Sequence, residues 1–213
     1  AQAAVDGGGR FRYAPCMEIF LATENRHKVE ELGAIFEGHR LVTPGERHID
    51  YYFEETGSSY FENAYGKARA LFEKVGSPVL SDDSGLSVPA LDGAPGIYSS
   101  RYGSPGEGRK LETAERNRYL LSKMQGIEER RGFFVCCMVL VLEDYRFFVV
   151  QETVDGVITG EPRGSGGFGY DPLFYLPTHG CTVAELSEEE KNRISHRGKA
   201  GAKIRTLLGS VEG

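Results

Sequence analysis

The chain has 213 residues and a formal net charge of −6, with 40% hydrophobic and 26% charged residues. This length is enough for one well-buried domain, or for two lobes that share a core. The acidic balance argues against a general binder of nucleic acid or of membrane surfaces, because such proteins carry a basic face. A small anionic ligand is compatible with it, provided that lysines and arginines cluster locally.

The cysteines and the N-terminal residues give information on the cellular compartment of the protein. No segment reaches the ~18 apolar residues of a membrane span, and the predicted location is the cytoplasm. Residues 1–16 lack an apolar signal segment; we predict a flexible leader, natural or added by cloning, before a single domain over 17–213. Free thiols in a reducing compartment are expected at the four cysteines, which lack metal-like spacing: Cys16, Cys136, Cys137 and Cys181.

The first predicted elements are a strand, a tight turn and a helix. Residues 17–23 are a short apolar run, which is typical of a buried strand. The following "ENRHKVEELGAIF" has apolar residues at helical spacing, and Gly38 falls where such a helix would end. The stretch 39–57 is expected to be irregular. A second helix begins at a capping box formed by Ser59 and Glu62. Its predicted buried stripe consists of Phe61, Ala64, Ala68, Leu71 and Phe72.

In the middle of the chain, a short strand over 78–81 is predicted to end at "SDDSG". A glycine- and proline-rich loop is expected over 85–108, followed by a third helix from about Leu111 to Met124. "FFVCCMVLVL" (133–142) and "RFFVVQETV" (146–154) predict a hairpin. Its first arm is apolar at nearly every position, which indicates a strand covered on both faces.

The C-terminal part is predicted to contain a loop and two helices. Residues 160–180 are expected to form the loop, and a capping box at Ser187 and Glu190 begins a short helix. A last helix follows "SHRG" and is predicted to pack through Ala200, Ile204, Leu207 and Leu208. The alternation of strands and helices predicts an α/β fold with a mixed sheet.

Two acidic pairs lie near predicted loops. Glu54 and Glu55 precede Gly57, and Asp82 and Asp83 follow an apolar run. Mg²⁺ prefers carboxylate oxygens, so one hypothesis is a metal site in which a divalent ion neutralises the adjacent acids. The alternative is structural: Asp82 caps a turn and Asp83 faces solvent. The residues alone leave both readings open.

A polar turn and a glycine-rich loop are compatible with nucleotide binding. "TENRHK" (23–28) lies at a helix start, where unpaired backbone N–H groups and Lys28 suit phosphate, although polar residues there are most often caps. In "GGFGYDP" (166–172), Phe168 is suited to stack on a flat base and Asp171 to anchor the turn. A purely structural glycine loop is the alternative.

Basic residues near the C-terminus form a fourth polar cluster. "EEEKNRISHRG" (188–198) carries Lys191, His196 and Arg197. These side chains can donate hydrogen bonds to a base carbonyl or to phosphate. The ordinary explanation is a charged surface helix.

The order and wording of these clusters resemble the inosine triphosphate pyrophosphatase family, the Ham1-like non-standard purine NTP pyrophosphatases. The resemblance covers about Glu18 to Leu208 and rests on "LATENRHKVEEL", "EETGSSYFENAYGKA", "SDDSGLSVPALDGAPGIYSSRYG", "GFGYDPLF" and "AELSEEEKNRISHRGKA". It implies an elongated mixed β-sheet flanked by helices, with two lobes and a central nucleotide cleft. It also implies a homodimer that hydrolyses ITP, dITP or XTP with Mg²⁺, giving the monophosphate and pyrophosphate.

The resemblance also implies the residues of the site. The phosphate-binding turn corresponds to Thr23, Glu24, Asn25, Arg26, His27 and Lys28, with Asn63 and Lys67 in the same pocket. Glu55 and Asp83 correspond to metal-associated acids, Asp83 also to the catalytic proton acceptor, and Ser84 to a substrate contact. The positions that hold the base and adjoining groups are Phe168, Gly169, Tyr170, Asp171, Lys191, His196 and Arg197, and Arg101 is a further candidate.

The chain departs from the family pattern in two places. Glu24 stands where the family usually has glycine, and a carboxylate aimed at phosphates would repel them, so we expect it to point away. The stretch 104–118 lacks the family's usual asparagine pair, which bears on a helix and not on chemistry.

Two other functions remain open from the sequence. One is a nucleotide sensor without turnover, and the intact set of acids and lysines argues against it. The other is a Maf-like pyrophosphatase that prefers modified pyrimidines, and "SHRG" and "FGYDP" argue against it.

Overall fold

The structure, a computed structural model, describes residues 4–5, 11–12, 16–105 and 109–211. The helices in these ranges are α1 (Arg26–Ile35), α2 (Tyr60–Val75), α3 (Thr113–Lys123), α4 (Glu188–Ile194) and α5 (His196–Gly209). The strands are β1 (Ala4–Val5), β2 (Phe11–Arg12), β3 (Glu18–Leu21), β4 (Arg40–Val42), β5 (Val79–Ser87), β6 (Arg131–Glu143), β7 (Arg146–Ile158), β8 (Phe174–Leu176) and β9 (Cys181–Thr182).

Seven strands form one mixed sheet in the order β4-β3-β5-β6-β7-β8-β9. β3 pairs in parallel with β4 and β5, whereas each neighbouring pair from β5 to β9 is antiparallel. Parallel neighbours need a crossover connection, and α1 and α2 provide the two that this sheet requires. The predicted α/β class with a mixed sheet is confirmed.

β5 and β6 form the centre of the sheet and connect two lobes. β6 is buried from Phe134 to Val141 because helices cover both of its faces. On one face the core joins α1 and α5 to the sheet, and on the other α2 packs Ala68 and Leu71 against it. A separate core cluster at the far end of β5 and β6 includes Leu120 of α3. The nucleotide cleft implied by the resemblance is expected between these two regions.

The acidic pair does not end a strand. Asp82 and Asp83 lie in the middle of the nine-residue β5, in register with Met138 and Cys137 of β6. Neighbouring residues of a strand point to opposite faces, so Asp82 contacts α1 and α5 while Asp83 contacts α2. The prediction that the strand ends at residue 81 is wrong. The apolar residues stop there, but the strand continues because the aspartates that follow are buried in ion pairs and hydrogen bonds.

Several predicted elements differ from the structure in their extent or burial. β4 lies in the stretch predicted to be irregular, and β8 lies in the predicted loop over 160–180. A three-residue strand is too short to show periodicity. The last helix includes "HRG" instead of following it, since Ser195 is its N-cap and accepts the Gly198 N–H. Phe61 is 41% exposed and does not belong to the buried stripe of α2.

The N-terminal prediction falls largely outside the described residues. Two short segments of the predicted leader, β1 and β2, pair with each other in antiparallel fashion. All four cysteines are free thiols, as expected. Within the described ranges, no helix combines the length and the apolar character that crossing a membrane requires.

Candidate active site

A cavity of about 410 Å³ lies where the two lobes meet. The predicted site residues that border it are Thr23, Glu24, Asn25, Lys28, Glu55, Lys67, Asp83, Ser84, Phe168, Gly169, Tyr170, Asp171, Lys191, His196 and Arg197. Arg26 and His27 are exposed and outside its wall, and Asn63 is buried and reaches the cavity only through a neighbour. The exposed Glu54 is also outside the wall.

The turn between β3 and α1 is held by its own side chains. Asn25 is the N-cap of α1, and its Oδ1 accepts the N–H groups of His27 and Lys28 at 3.1 and 3.4 Å. Thr23 Oγ1 accepts the Asn25 N–H at 3.2 Å. Glu24 is exposed and borders the cavity, and the direction of its carboxylate stays a prediction. The turn therefore presents the start of α1 to the cavity in a fixed shape.

Asp82 is a buried carboxylate held by two cations. Its Oδ2 accepts from Lys28 Nζ at 3.0 Å and from Arg197 Nη2 and Nε at 3.2 and 3.3 Å. Burial acts to raise its pKa, but Lys28 and Arg197 outweigh burial and hold the pKa far below its usual range. The charges that make the acidic pair tolerable at Asp82 thus come from the protein, where the sequence pointed to a divalent ion or to a turn cap.

Asp83 faces the cavity from the opposite side of β5. Its Oδ2 accepts from Asn63 Nδ2 at 2.9 Å, and its Oδ1 accepts the Ser84 N–H at 3.0 Å. Burial raises the pKa of Asp83, and the negative charge of Glu55 adds to this effect. It is 5% exposed and does not face solvent as the structural alternative required. A carboxylate with a raised pKa in a cavity is suited to accept a proton.

Glu55 pairs with cations from two other segments. Its Oε1 contacts Lys67 Nζ of α2, and Arg101 Nη1 lies 3.8 Å from its Oε2. Lys67 also donates to the Asp82 carbonyl oxygen at 3.0 Å. Burial acts to raise the pKa of Glu55, but Lys67 outweighs burial and the pKa lies below its ordinary value. Glu55 is therefore ionised at neutral pH.

The acids at the cavity fit a magnesium ion better than a closed metal site. Across the described ranges, no cluster of three or more His, Cys, Asp and Glu side chains is placed to hold a metal. Glu55 and Asp83, the two acids predicted to hold the metal, border the same cavity. Mg²⁺ keeps several waters and binds through one or two carboxylates plus substrate phosphates. A tetrahedral zinc site would need more protein ligands.

Phe168 forms an aromatic wall at the other end of the cavity. The His27 ring stacks on it, with centroids 5.1 Å apart and planes inclined by 8°. Lys191 Nζ and the Arg197 guanidinium lie 4.6 and 5.5 Å from the Phe168 centroid. Asp171 Oδ2 accepts the Phe168 N–H at 2.8 Å and so fixes the glycine-rich turn. A flat ring with cations at its face is suited to a polar heteroaromatic base.

His196 completes this end as a neutral side chain. It is 7% exposed and stacks on Phe134, with centroids 4.7 Å apart. Burial lowers its pKa well below the usual value, and the nearby Arg197 charge acts in the same direction. A neutral imidazole has one donor and one acceptor nitrogen.

Glu31 is a site residue that sequence reasoning missed. Its Oε1 lies 2.7 Å from Lys191 Nζ and its Oε2 lies 2.6 Å from Arg197 Nη1. Asp171 holds the same lysine at 2.8 Å, and Asp82 holds the same arginine. Ion pairs therefore connect the aromatic wall to the phosphate-binding turn through a continuous series of side chains: Asp171, Lys191, Glu31, Arg197, Asp82 and Lys28. The only sequence signal was an acid in the second turn of α1.

Other cavity residues come from segments without a recognisable motif. Tyr51, in the stretch predicted to be irregular, borders the cavity, and its hydroxyl donates to the Lys67 carbonyl at 2.8 Å. Arg116 of α3 borders it too and donates to the Ser100 carbonyl at 3.1 Å. Only tertiary structure brings these residues to the site.

Comparison with known proteins identifies the family. A family model described as the Ham1 family matches residues 19–207. The chain belongs to the Ham1 family. A dITP/XTP pyrophosphatase of Treponema denticola is 50% identical over 184 residues, which cover 86% of this chain and 94% of that protein. A dITP/XTP pyrophosphatase of Thermus thermophilus is 47% identical over 196 residues, which cover 90% of each.

Solved Ham1 structures have the same fold. The Ham1 protein of Coxiella burnetii superposes with a TM-score of 0.82 at 38% identity, over 91% of this chain and 99% of that one. The Staphylococcus aureus Ham1 protein gives a TM-score of 0.81 at 38% identity with the same coverage. The family resemblance read from the five sequence motifs is confirmed.

Proposed function

We propose that this Ham1-family chain is a nucleoside triphosphate pyrophosphohydrolase that converts ITP, dITP and XTP to the monophosphate and pyrophosphate, and so clears deaminated purines from the nucleotide pool. One observation carries the proposal: a single cavity joins Lys28 and Lys67, the Glu55 and Asp83 carboxylates, and the aromatic wall at Phe168 with its bordering cations. The relatives at 47% and 50% identity, named dITP/XTP pyrophosphatase, support the same substrates.

Hydrolysis of a phosphoanhydride depends on positioning and charge neutralisation more than on covalent chemistry. Lys28 and Lys67 border the cavity from α1 and α2, and we assign them to the phosphate oxygens. Asn63 fixes the Asp83 carboxylate through its bond to Oδ2. We assign Asp83 the proton of the attacking water: the water oxygen bonds to phosphorus, the bond to pyrophosphate breaks, and the proton goes to Asp83.

Glu55 and Asp83 are the residues that would hold Mg²⁺. When bound, the ion supplies electrostatic stabilisation of charge on the phosphate oxygens. Both carboxylates face the cavity, and Glu55 is ionised at neutral pH because Lys67 outweighs the effect of burial on its pKa. Magnesium dependence is thus part of the proposal.

Base selection follows from hydrogen-bond polarity. ITP and XTP carry a 6-oxo acceptor, whereas ATP carries a 6-amino donor. Lys191, His196 and Arg197 place donors at the aromatic end of the cavity. Lys191 uses two of its three N–H groups on Asp171 and Glu31, which leaves a third for a base. A buried donor that meets an amino group loses its acceptor, at a cost of about 1–3 kcal/mol.

The deciding experiment incubates purified protein with Mg²⁺ and separate nucleotides, then measures pyrophosphate and monophosphate. We expect kcat/KM for ITP, dITP and XTP to exceed that for ATP by about 100-fold. Asp83→Asn is the matched inactive control. Tight ITP binding without pyrophosphate release would favour the sensor, and a preference for dUTP or dTTP would favour the Maf-like alternative.

We extend the proposal to assembly and location. The family resemblance implies a homodimer, and the proposed cytoplasmic location is compatible with the free thiols, which a reducing compartment maintains. Light scattering on purified protein tests the dimer, since it should report twice the 23.5 kDa mass of one chain.

A further inference from the structure

In the part of the cavity that we assign to phosphate, acidic and basic side chains form ion pairs with each other. Glu55 contacts Lys67 through Oε1, and Arg101 approaches Oε2 at 3.8 Å. Arg101 Nη2 also donates to the Glu55 carbonyl oxygen at 3.3 Å, and its guanidinium lies 4.9 Å from the Tyr98 ring centroid. One carboxylate thus holds two cations, one from α2 and one from the loop after β5.

Glu55 and Lys67 border the cavity, and Arg101, which is outside its wall, contacts Glu55. The side chains of Lys67, Glu55 and Arg101 are 11%, 25% and 34% exposed. An ion pair at a cavity wall keeps contact with water, so it contributes less to stability than its charges alone suggest. A phosphate chain carries more charge than one carboxylate and offers several acceptor oxygens, so it can replace Glu55 as the partner of both cations.

The Lys28 pair differs in this respect. Its partner Asp82 has a side chain only 1% exposed and is also bound by the fully buried Arg197. Asp82 is therefore part of the core, whereas Glu55 stands at the cavity wall. Of these two carboxylates, Glu55 is the one that can give up its cations without leaving a fully buried charge unpaired.

We propose that Glu55 is an internal competitor for the phosphates: its carboxylate holds Lys67 and Arg101, and a phosphate chain binds by taking both cations from it. Arg101 is then a third phosphate-binding residue beside Lys28 and Lys67. The inference rests on the proposed function in treating this cavity as the triphosphate site. It follows that any cation bound by Glu55 strengthens phosphate binding, and phosphate strengthens binding of that cation by the same factor.

Inorganic tripolyphosphate in EDTA is the probe, because it has no base and is measured without metal. Titration calorimetry compares wild type with Glu55→Gln, which keeps the side-chain size. We expect Glu55→Gln to bind about tenfold more tightly, the equivalent of one competing charge-assisted contact. The matched control is Glu54→Gln, an equal charge change at an exposed neighbour, with an expected change below about twofold.

Arg101 is tested in both backgrounds. Arg101→Met should weaken tripolyphosphate binding about tenfold when combined with Glu55→Gln, but only about threefold in wild type, where Glu55 already competes for the arginine. Arg101→Lys should recover part of the loss, because it keeps the charge but not the planar donor fork. Glu55→Asp, which retracts the carboxylate, serves as a second variant, and thermal melts verify that each protein is folded.

The outcomes separate the two proposals. Unchanged affinity in Glu55→Gln, or an equal gain in Glu54→Gln, would overturn the competition. Equal effects of Arg101→Met in the two backgrounds would overturn it as well, and no effect in either would remove Arg101 from the phosphate site. If ITP is not hydrolysed but the Glu55 effect is present, the proposed function fails and the internal competitor stands.

Discussion

Asp82→Asn removes the negative charge at the centre of the site and keeps the side-chain size. Asp82 is 2% exposed, and its Oδ2 accepts from both Lys28 and Arg197. Removal of one partner from a buried ion pair costs about 3–5 kcal/mol. Arg197 retains Glu31 at 2.6 Å and Ser84 at 2.8 Å. The expected loss is therefore at the lower end, about 3 kcal/mol of unfolding free energy.

The matched control is the adjacent acid. Asp83→Asn is the same chemical change one residue along the same strand, on the opposite face. Burial raises the pKa of Asp83, so its charged form is already disfavoured in the fold. We expect Asp83→Asn to unfold within about 0.5 kcal/mol of wild type while turnover of ITP is nearly abolished.

Urea denaturation at pH 7.5 and thermal melts provide the assay. For a chain of this size, about 3 kcal/mol corresponds to a decrease in Tm of about 6–12 °C for Asp82→Asn. Pyrophosphate release is measured on the same samples. If both variants lose equal stability, or if Asp82→Asn is as stable as wild type, the division of roles between the two faces of β5 is refuted.

Three further changes test the aromatic end, the buried histidine and the metal. Phe168→Ala should raise KM for ITP about tenfold through lost stacking, while tripolyphosphate affinity stays the same; an equal loss for both ligands would contradict stacking. His196 is kept neutral by burial, with its folded pKa well below the ordinary value. Its contribution to stability is therefore present above pH ~6.5 and lost as pH falls toward the folded pKa, on the order of 1 kcal/mol between pH 7.5 and 5.5. His196→Gln should lack this decrease in urea titrations, and an identical pH slope in both proteins would argue against a neutral buried imidazole. EDTA should stop pyrophosphate release and added Mg²⁺ should restore it; full turnover in EDTA would remove magnesium from the proposal.

The longer elements could be predicted from the sequence because their signals are local. The first arm of the hairpin is apolar at nearly every position, and the structure places it as β6, covered on both faces. Ser187 and Glu190 form the complete capping box that begins α4. At Ser59 only half of the predicted box forms: Ser59 accepts the Glu62 N–H, but the Glu62 carboxylate binds Ser58. Side-chain choices at helix starts thus depend on the neighbouring loop.

The partners of the charged residues could not be predicted in this way. Lys28 and Arg197 lie 54 and 115 residues from Asp82 along the chain. Nothing within a few residues of "SDDSG" shows that these cations arrive there, and a metal ion was an equally consistent explanation. Glu31 was missed for the same reason, since its two partners come from the other end of the chain.

The sequence by itself determined the family, the mixed α/β class and the motif segments that line the cavity, because ordered motifs and hydrophobic periodicity are local properties of the chain. Tertiary structure alone decided which cation pairs with which carboxylate. β5 alternates its side chains between two helix layers, so adjacent aspartates enter different surroundings: one is neutralised by Lys28 and Arg197, and the other is left facing the cavity beside Asn63. The two aspartates differ in role because burial and charge differ on the two faces of β5, which the local sequence does not show.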